Sequence, residues 1–190
     1  LKGMGVALIT PFKEDESVDY DALMRMVDYL LQNNADFLCV LGTTAETPTL
    51  TEEEKKTIKK MVIDRVNGRI PILLGVGGNN TRAIVETLKN DDFTGVDAIL
   101  SVVPYYNKPS QEGIYQHYKA ISEATELPTT SREAMAEAFF NPVSNATNSA
   151  TTVSNGKLPH KPTSVSTFPF STRHCTVRST GTIKRRPTFW

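Results

Sequence analysis

The sequence predicts an α/β fold with parallel strands, and three observations predict it. Over residues 1–128, short apolar runs alternate with stripes at helical spacing, the mark of successive βαβ units. Each run is apolar on both faces, as a strand must be when helices cover both sides of a parallel sheet. Turn and cap residues fall at the seams between runs and stripes. Past Pro128 all three features stop.

The first strand is expected at Val6-Ala7-Leu8-Ile9, and the helix after it carries the stripe Leu23, Val27, Leu30 and Leu31. The second, Phe37 to Leu41, leaves through Gly42-Thr43-Thr44-Ala45-Glu46 into a helix that opens on a capping box, with Thr51 three residues before Glu54. Ile58, Met61, Val62 and Val66 form its apolar face, and Asn67-Gly68 supplies a left-handed stop. The third strand, Ile70 to Leu74, precedes a helix with Ile84, Val85 and Leu88 that is expected to close at Thr94-Gly95. The fourth, Ala98 to Val103, leaves through Pro104-Tyr105-Tyr106-Asn107-Lys108-Pro109. Ser110 is the N-cap expected for the last helix, which carries Ile114, Tyr118 and Ile121.

The 190-residue chain is neutral only by cancellation. Residues 1–128 hold 13 Lys and Arg against 19 Asp and Glu, a net of −6, and residues 129–190 hold 8 against 2, a net of +6. That split removes any whole-chain charge argument for a nucleic-acid partner. In the second part Ser and Thr make up 20 of 62 residues and Asp is absent. A short helix is expected at Arg132 to Phe140, and disorder beyond it, because such a composition cannot bury enough apolar surface to offset its ordering entropy. Two segments follow, 1–128 and 129–190.

Cys39 and Cys175 form no disulfide framework and no metal-ligand spacing, and read as free thiols. No stretch approaches the ~20 apolar residues of a membrane span, and the N-terminus lacks a basic segment followed by an apolar one. The expectation is a cytoplasmic protein with no membrane partner.

In parallel α/β folds the chemistry sits at the carboxyl ends of the strands. Two exits stand out. Gly42 permits a sharp turn, after which Thr43 and Thr44 offer N–H groups and hydroxyls to a small anion such as a carboxylate. Taken alone, the same residues also read as an ordinary strand-to-loop exit. Tyr105 and Tyr106 could relay protons, since a phenol both donates and accepts, or could pack against a neighbouring helix or subunit.

Four blocks together, Gly5 to Pro11, Gly42 to Glu46, Gly68-Arg69-Ile70-Pro71 and above all Pro104 to Gly113, resemble the dihydrodipicolinate synthase family of pyruvate-dependent lyases. Ala45 departs from it, because the family usually has glycine there. The Tyr105-Tyr106 block is more similar to the synthases than to the related N-acetylneuraminate lyases. The resemblance implies a partial (β/α)₈ barrel of about four βα units. It implies an enzyme in which a lysine forms a Schiff base with pyruvate and the resulting enamine attacks aspartate semialdehyde, a step of diaminopimelate and lysine biosynthesis needing no metal or organic cofactor. It also implies that Thr43 belongs to a Tyr-Thr-Tyr proton relay, that Thr43 and Thr44 hold the pyruvate carboxylate, and that Tyr106 reaches across a tight interface in a dimer of dimers.

The family would continue past residue 128 with Tyr-Asn-Val-Pro, a Gly-Arg-Thr-Gly-like turn and a strand bearing the Schiff-base lysine in a Val-Lys-Glu-Ala-like context. None of these is present, and Lys157, Lys161 and Lys184 stand among Ser, Thr and Pro, where no apolar pocket would depress an amine's pKa. The expectation is a family fragment with no Schiff-base lysine, inactive alone. The alternatives are a non-catalytic protein that keeps pyruvate binding or the dimer surface, or a related pyruvate lyase such as N-acetylneuraminate lyase. His160 and His174 in the tail and His117 on the last helix are expected to be solvated. Lys184-Arg185-Arg186 reads as a solvated basic end, and Asn79-Asn80-Thr81 and Asn145-Ala146-Thr147 as chance glycosylation matches.

The tail also reads as a shifted frame. Thr129 to Glu133 can be encoded ACA ACG TCC CGG GAA; if the codon of Pro128 ends in T, the neighbouring frame reads TAC AAC GTC CCG GGA, which is Tyr-Asn-Val-Pro-Gly. The encoding DNA decides between a frameshift and a fusion.

Overall fold

The computed structural model describes residues 1, 3–106 and 108–131. Five strands form one sheet in the order in which the chain makes them: β1 (Gly5–Ala7), β2 (Phe37–Val40), β3 (Ile72–Gly75), β4 (Ala98–Ser101) and β5 (Thr129–Ser131). Every neighbouring pair is parallel. The crossovers carry α1 (Tyr20–Gln32), α2 (Glu52–Val66), α3 (Thr81–Asn90) and α4 (Gln111–Glu123).

Strand side chains alternate between the two faces, and both faces are apolar, as the runs predict. Leu38, Val40, Ile72, Leu74 and Ile99 join the helix residues Leu23, Val27, Ile58, Val62, Val66, Ile84, Leu88 and Ile121 in the main core. Phe37, Cys39, Leu73, Ala98 and Leu100, of the opposite parity, form a second buried cluster. The register Cys39↔Leu73↔Ala98 sets that cluster in a row across three strands.

The helix ends follow their local chemistry. The Asp19 side chain caps α1 at the Ala22 N–H, and Thr51 and Glu54 close the capping box of α2 in both directions. Asn67 stops α2 with φ +48°. Ser110 caps α4 at Gly113 N, so both expected N-termini form. α3 ends at Asn90, four residues before the expected Thr94-Gly95 stop. The Asp92 carboxylate accepts from Thr94 N at 2.9 Å, which bends the chain ahead of those two residues.

A fifth strand was not expected from Thr-Thr-Ser, which offers no apolar run. It forms because pairing is a backbone property: Ile99 N donates to Pro128 O at 2.9 Å, Thr129 to Ser131 register against Ile99 to Ser101, and Thr129 is buried. The folded unit thus passes Pro128 by three residues. The expected helix from Arg132 and the expected disorder, with Cys175, His160, His174, Lys157, Lys161 and Lys184, lie outside the described residues. Among the described residues, no helix is long and apolar enough to cross a membrane.

Candidate functional site

The Gly42 to Glu46 turn lies at the carboxyl end of β2 and is bracketed by two non-glycine residues in left-handed backbone, Leu41 at φ +54° and Glu46 at φ +54°. Gly42 itself is extended, and Thr43–Ala45 form a single 3₁₀ turn closed by Ala45 N on Gly42 O at 3.0 Å and Glu46 N on Thr43 O at 3.1 Å. Thr43 and Thr44 are exposed. Their hydroxyls and N–H groups have no protein partner among the described residues. Four donors on two adjacent exposed residues are thus left without a protein partner among the described residues, an arrangement suited to a carboxylate.

Side chains from outside the turn take up its carbonyls. The buried Thr10 hydroxyl donates to Ala45 O at 2.7 Å, and the Thr47 hydroxyl is shared between Gly42 O at 2.8 Å and Leu41 O at 3.0 Å. Gly75, at the end of β3, passes directly beneath Leu41: a Cβ there would lie 2.0 Å from the Leu41 carbonyl oxygen. Cys39 sits below the turn, its sulfur 3.1 Å from where a Gly42 Cβ would be. Burial pushes its thiol up to about 11, so it is protonated at neutral pH and no nucleophile.

At the end of β4, Asn79 Oδ1 accepts from Tyr105 N at 2.7 Å, tying the β3–α3 loop to the β4–α4 loop. Tyr105 and Tyr106 are 47% and 93% exposed, so among the described residues no packing buries Tyr106. Tyr106 stands at φ +75°. The structure therefore gathers Thr43 and Thr44 into one turn and sets Tyr106 two strands away on the same end of the sheet. Among the described residues no hydrogen bond joins it to Thr43.

His117 corrects a sequence expectation. It is buried, 3% exposed, rather than solvated, with Nδ1 2.8 Å from the Thr81 hydroxyl and Nε2 3.3 Å from Val102 O. A carbonyl only accepts, so Nε2 carries the proton and Nδ1 accepts from Thr81. Desolvation lowers its pKa, and the bond to Val102 opposes that shift. The residues of Asn79-Asn80-Thr81 are all engaged, on Tyr105 N, on Ala83 N as the α3 cap, and on His117.

No described strand carries a lysine, and no group of three metal-ligating side chains occurs among the described residues. A groove of about 500 Å³ lined by Asn67, Arg69 and Asp97 opens at the other end of the sheet, away from Thr43. Sequence reasoning missed Thr10, Thr47, Asn79 and His117. Only His117 had a signal, its helical spacing with Ile114 and Ile121. A threonine hydroxyl that bonds a backbone carbonyl, 35 residues away for Thr10 or five and six away for Thr47, leaves none.

Comparison with known proteins finds a match to the Dihydrodipicolinate synthetase family over residues 1–130. The 4-hydroxy-tetrahydrodipicolinate synthases of Phocaeicola vulgatus and Parabacteroides distasonis are 82% and 77% identical over 128 residues, which is 67% of this chain and 43% of each relative. The chain thus spans less than half the length of these relatives. Among solved structures, a chloride-inhibited dihydrodipicolinate synthase from Acinetobacter baumannii, complexed with pyruvate, is 45% identical with TM-score 0.65, covering 68% of this chain and 44% of that one. A monomeric dihydrodipicolinate synthase variant is 43% identical with TM-score 0.64, covering 68% and 43%.

Proposed function

The chain belongs to the dihydrodipicolinate synthetase family, and from that premise we propose that it keeps the pyruvate-carboxylate half of the family's site without the amine that performs the chemistry. In the proposed parent reaction a lysine amine adds to the ketone carbon of pyruvate and water leaves. The imine then loses a methyl proton to become an enamine, which attacks the aldehyde carbon of aspartate semialdehyde. Of these tasks Thr43 and Thr44 are assigned carboxylate binding, and Thr43 with Tyr106 proton transfer, Tyr106 acting across a subunit boundary in a family-type oligomer. The near-complete exposure of Tyr106 supports that last role.

Two observations carry the reading: Thr43 and Thr44 are exposed, with N–H groups and hydroxyls that have no partner among the described residues, and no Val-Lys-Glu-Ala-like stretch follows residue 128 in the sequence. The function assigned is therefore binding without turnover in lysine and diaminopimelate biosynthesis, in the cytoplasm, with no metal or organic cofactor. The test is incubation of the 190-residue chain with pyruvate, read by amide shifts and, after borohydride, by mass. Shifts confined to the Thr43–Thr44 region with an unchanged mass are expected. A stable pyruvyl adduct on any lysine would sink the reading.

A further inference from the structure

We propose that Thr10 and Thr47 are positioning residues for the carboxylate turn, holding Thr43 and Thr44 in place through hydroxyl bonds to the turn's carbonyls; this rests on the carboxylate reading above. Leu41 and Glu46 occupy left-handed backbone at the two ends of the turn, a conformation that non-glycine residues keep only where the surroundings over-determine it. The surroundings here are specific. Thr10 lies beyond β1, 35 residues away in sequence, and is 5% exposed, yet its hydroxyl reaches Ala45 O at 2.7 Å. Thr47 closes the other side on the carbonyls of Gly42 and Leu41 at 2.8 and 3.0 Å.

The logic is one of direction. A peptide group that turns its C=O inward turns its N–H outward. Fixing the Gly42 carbonyl fixes the peptide plane whose N–H belongs to Thr43, and fixing the Ala45 carbonyl closes the far end of the turn. With both carbonyls held, the N–H groups and hydroxyls of Thr43 and Thr44 are aligned before any anion arrives, so less ordering cost falls on binding. Neither Thr10 nor Thr47 needs to touch the anion.

Thr10→Val and Thr47→Val remove each hydroxyl at nearly constant shape, and Thr10→Ser and Thr47→Ser return it. In the full chain, the Val variants are expected to speed hydrogen exchange of the Ala45 and Glu46 amides about fivefold or more, the factor that one net hydrogen bond is worth. They are also expected to weaken the pyruvate-induced shifts by a similar factor, while the Ser variants behave as the parent and the α2 amides of Val62 and Val66 do not change. Equal exchange at Ala45 and Glu46 in the parent and the Val variants overturns the proposal. So does acceleration that extends equally into α2, which would make the hydroxyls general supports. If Thr10→Val does not fold, the partly buried Thr47 pair decides alone. If the parent shows no pyruvate shift, the carboxylate reading fails, and the exchange arm still decides whether the two hydroxyls hold the turn.

Discussion

His117 reports on pH through its burial. Its folded-state pKa is lowered by desolvation, while the unfolded chain titrates near 6.5. Above that value both states hold a neutral ring and the contribution is complete. As pH falls below it, the unfolded state takes up a proton that the folded state resists, and stability declines until the folded pKa is reached. Urea unfolding should therefore show a lower midpoint at pH 5.5 than at pH 7.5, and His117→Gln should flatten that difference while lowering stability at both. An unchanged slope in His117→Gln would assign the effect elsewhere. The carboxylates that hydrogen bonds pull down, Asp28 on Arg65, Asp15 on Ser17 and Asp92 on Thr94, do not confuse the test, since they titrate below their ordinary 3.8. The residue scale is also where the sequence was least legible. Thr43, Thr44 and Tyr106 could be singled out because they follow apolar runs and fall in blocks that resemble a known family; Thr10 follows the first run too, but its bond, like those of Thr47, goes to a carbonyl, which no sequence pattern displays.

Among the elements, the end of β3 is the one with no room to adjust. Gly75 passes 2.0 Å, measured from a hypothetical Cβ, from the Leu41 carbonyl oxygen and 2.9 Å from Gly42 N. Gly75→Ala must therefore displace the backbone that leads into the Gly42 to Glu46 turn. The expected cost is about 1–3 kcal/mol, as for other overpacked positions, seen as a lower urea midpoint together with shifted Thr43 and Thr44 amides. A variant that lost stability with those amides unmoved would show that the strain is relieved elsewhere. At this scale the sequence was largely readable. Four strands and four helices lie where the two periodicities put them, and Thr51, Asn67 and Ser110 cap as their chemistry demands. The shorter α3 and the added β5 escaped because the Asp92 carboxylate bonds the Thr94 N–H and Ile99 N bonds Pro128 O, neither of which shows in apolar spacing.

At the scale of the whole molecule, the decisive fact is that the sheet of described strands has two edges. β1 and β5 each pair with one neighbour among the described strands, and an edge strand is a template for another chain. Sedimentation velocity of the full chain should show a mass that rises with concentration; a monomer at every concentration would mean that both edges are covered. The strand order 1-2-3-4-5 bears on synthesis as well. Each new strand docks beside the one made just before it, so no strand waits for a partner more than one helical crossover away, and because loop-closure entropy grows only slowly with length, each crossover adds a similar, bounded cost. The chain can therefore assemble as it leaves the ribosome, unit by unit from the N-terminus. At every stage of that growth the newest strand is the frontier, and β5 is where the described frontier stands.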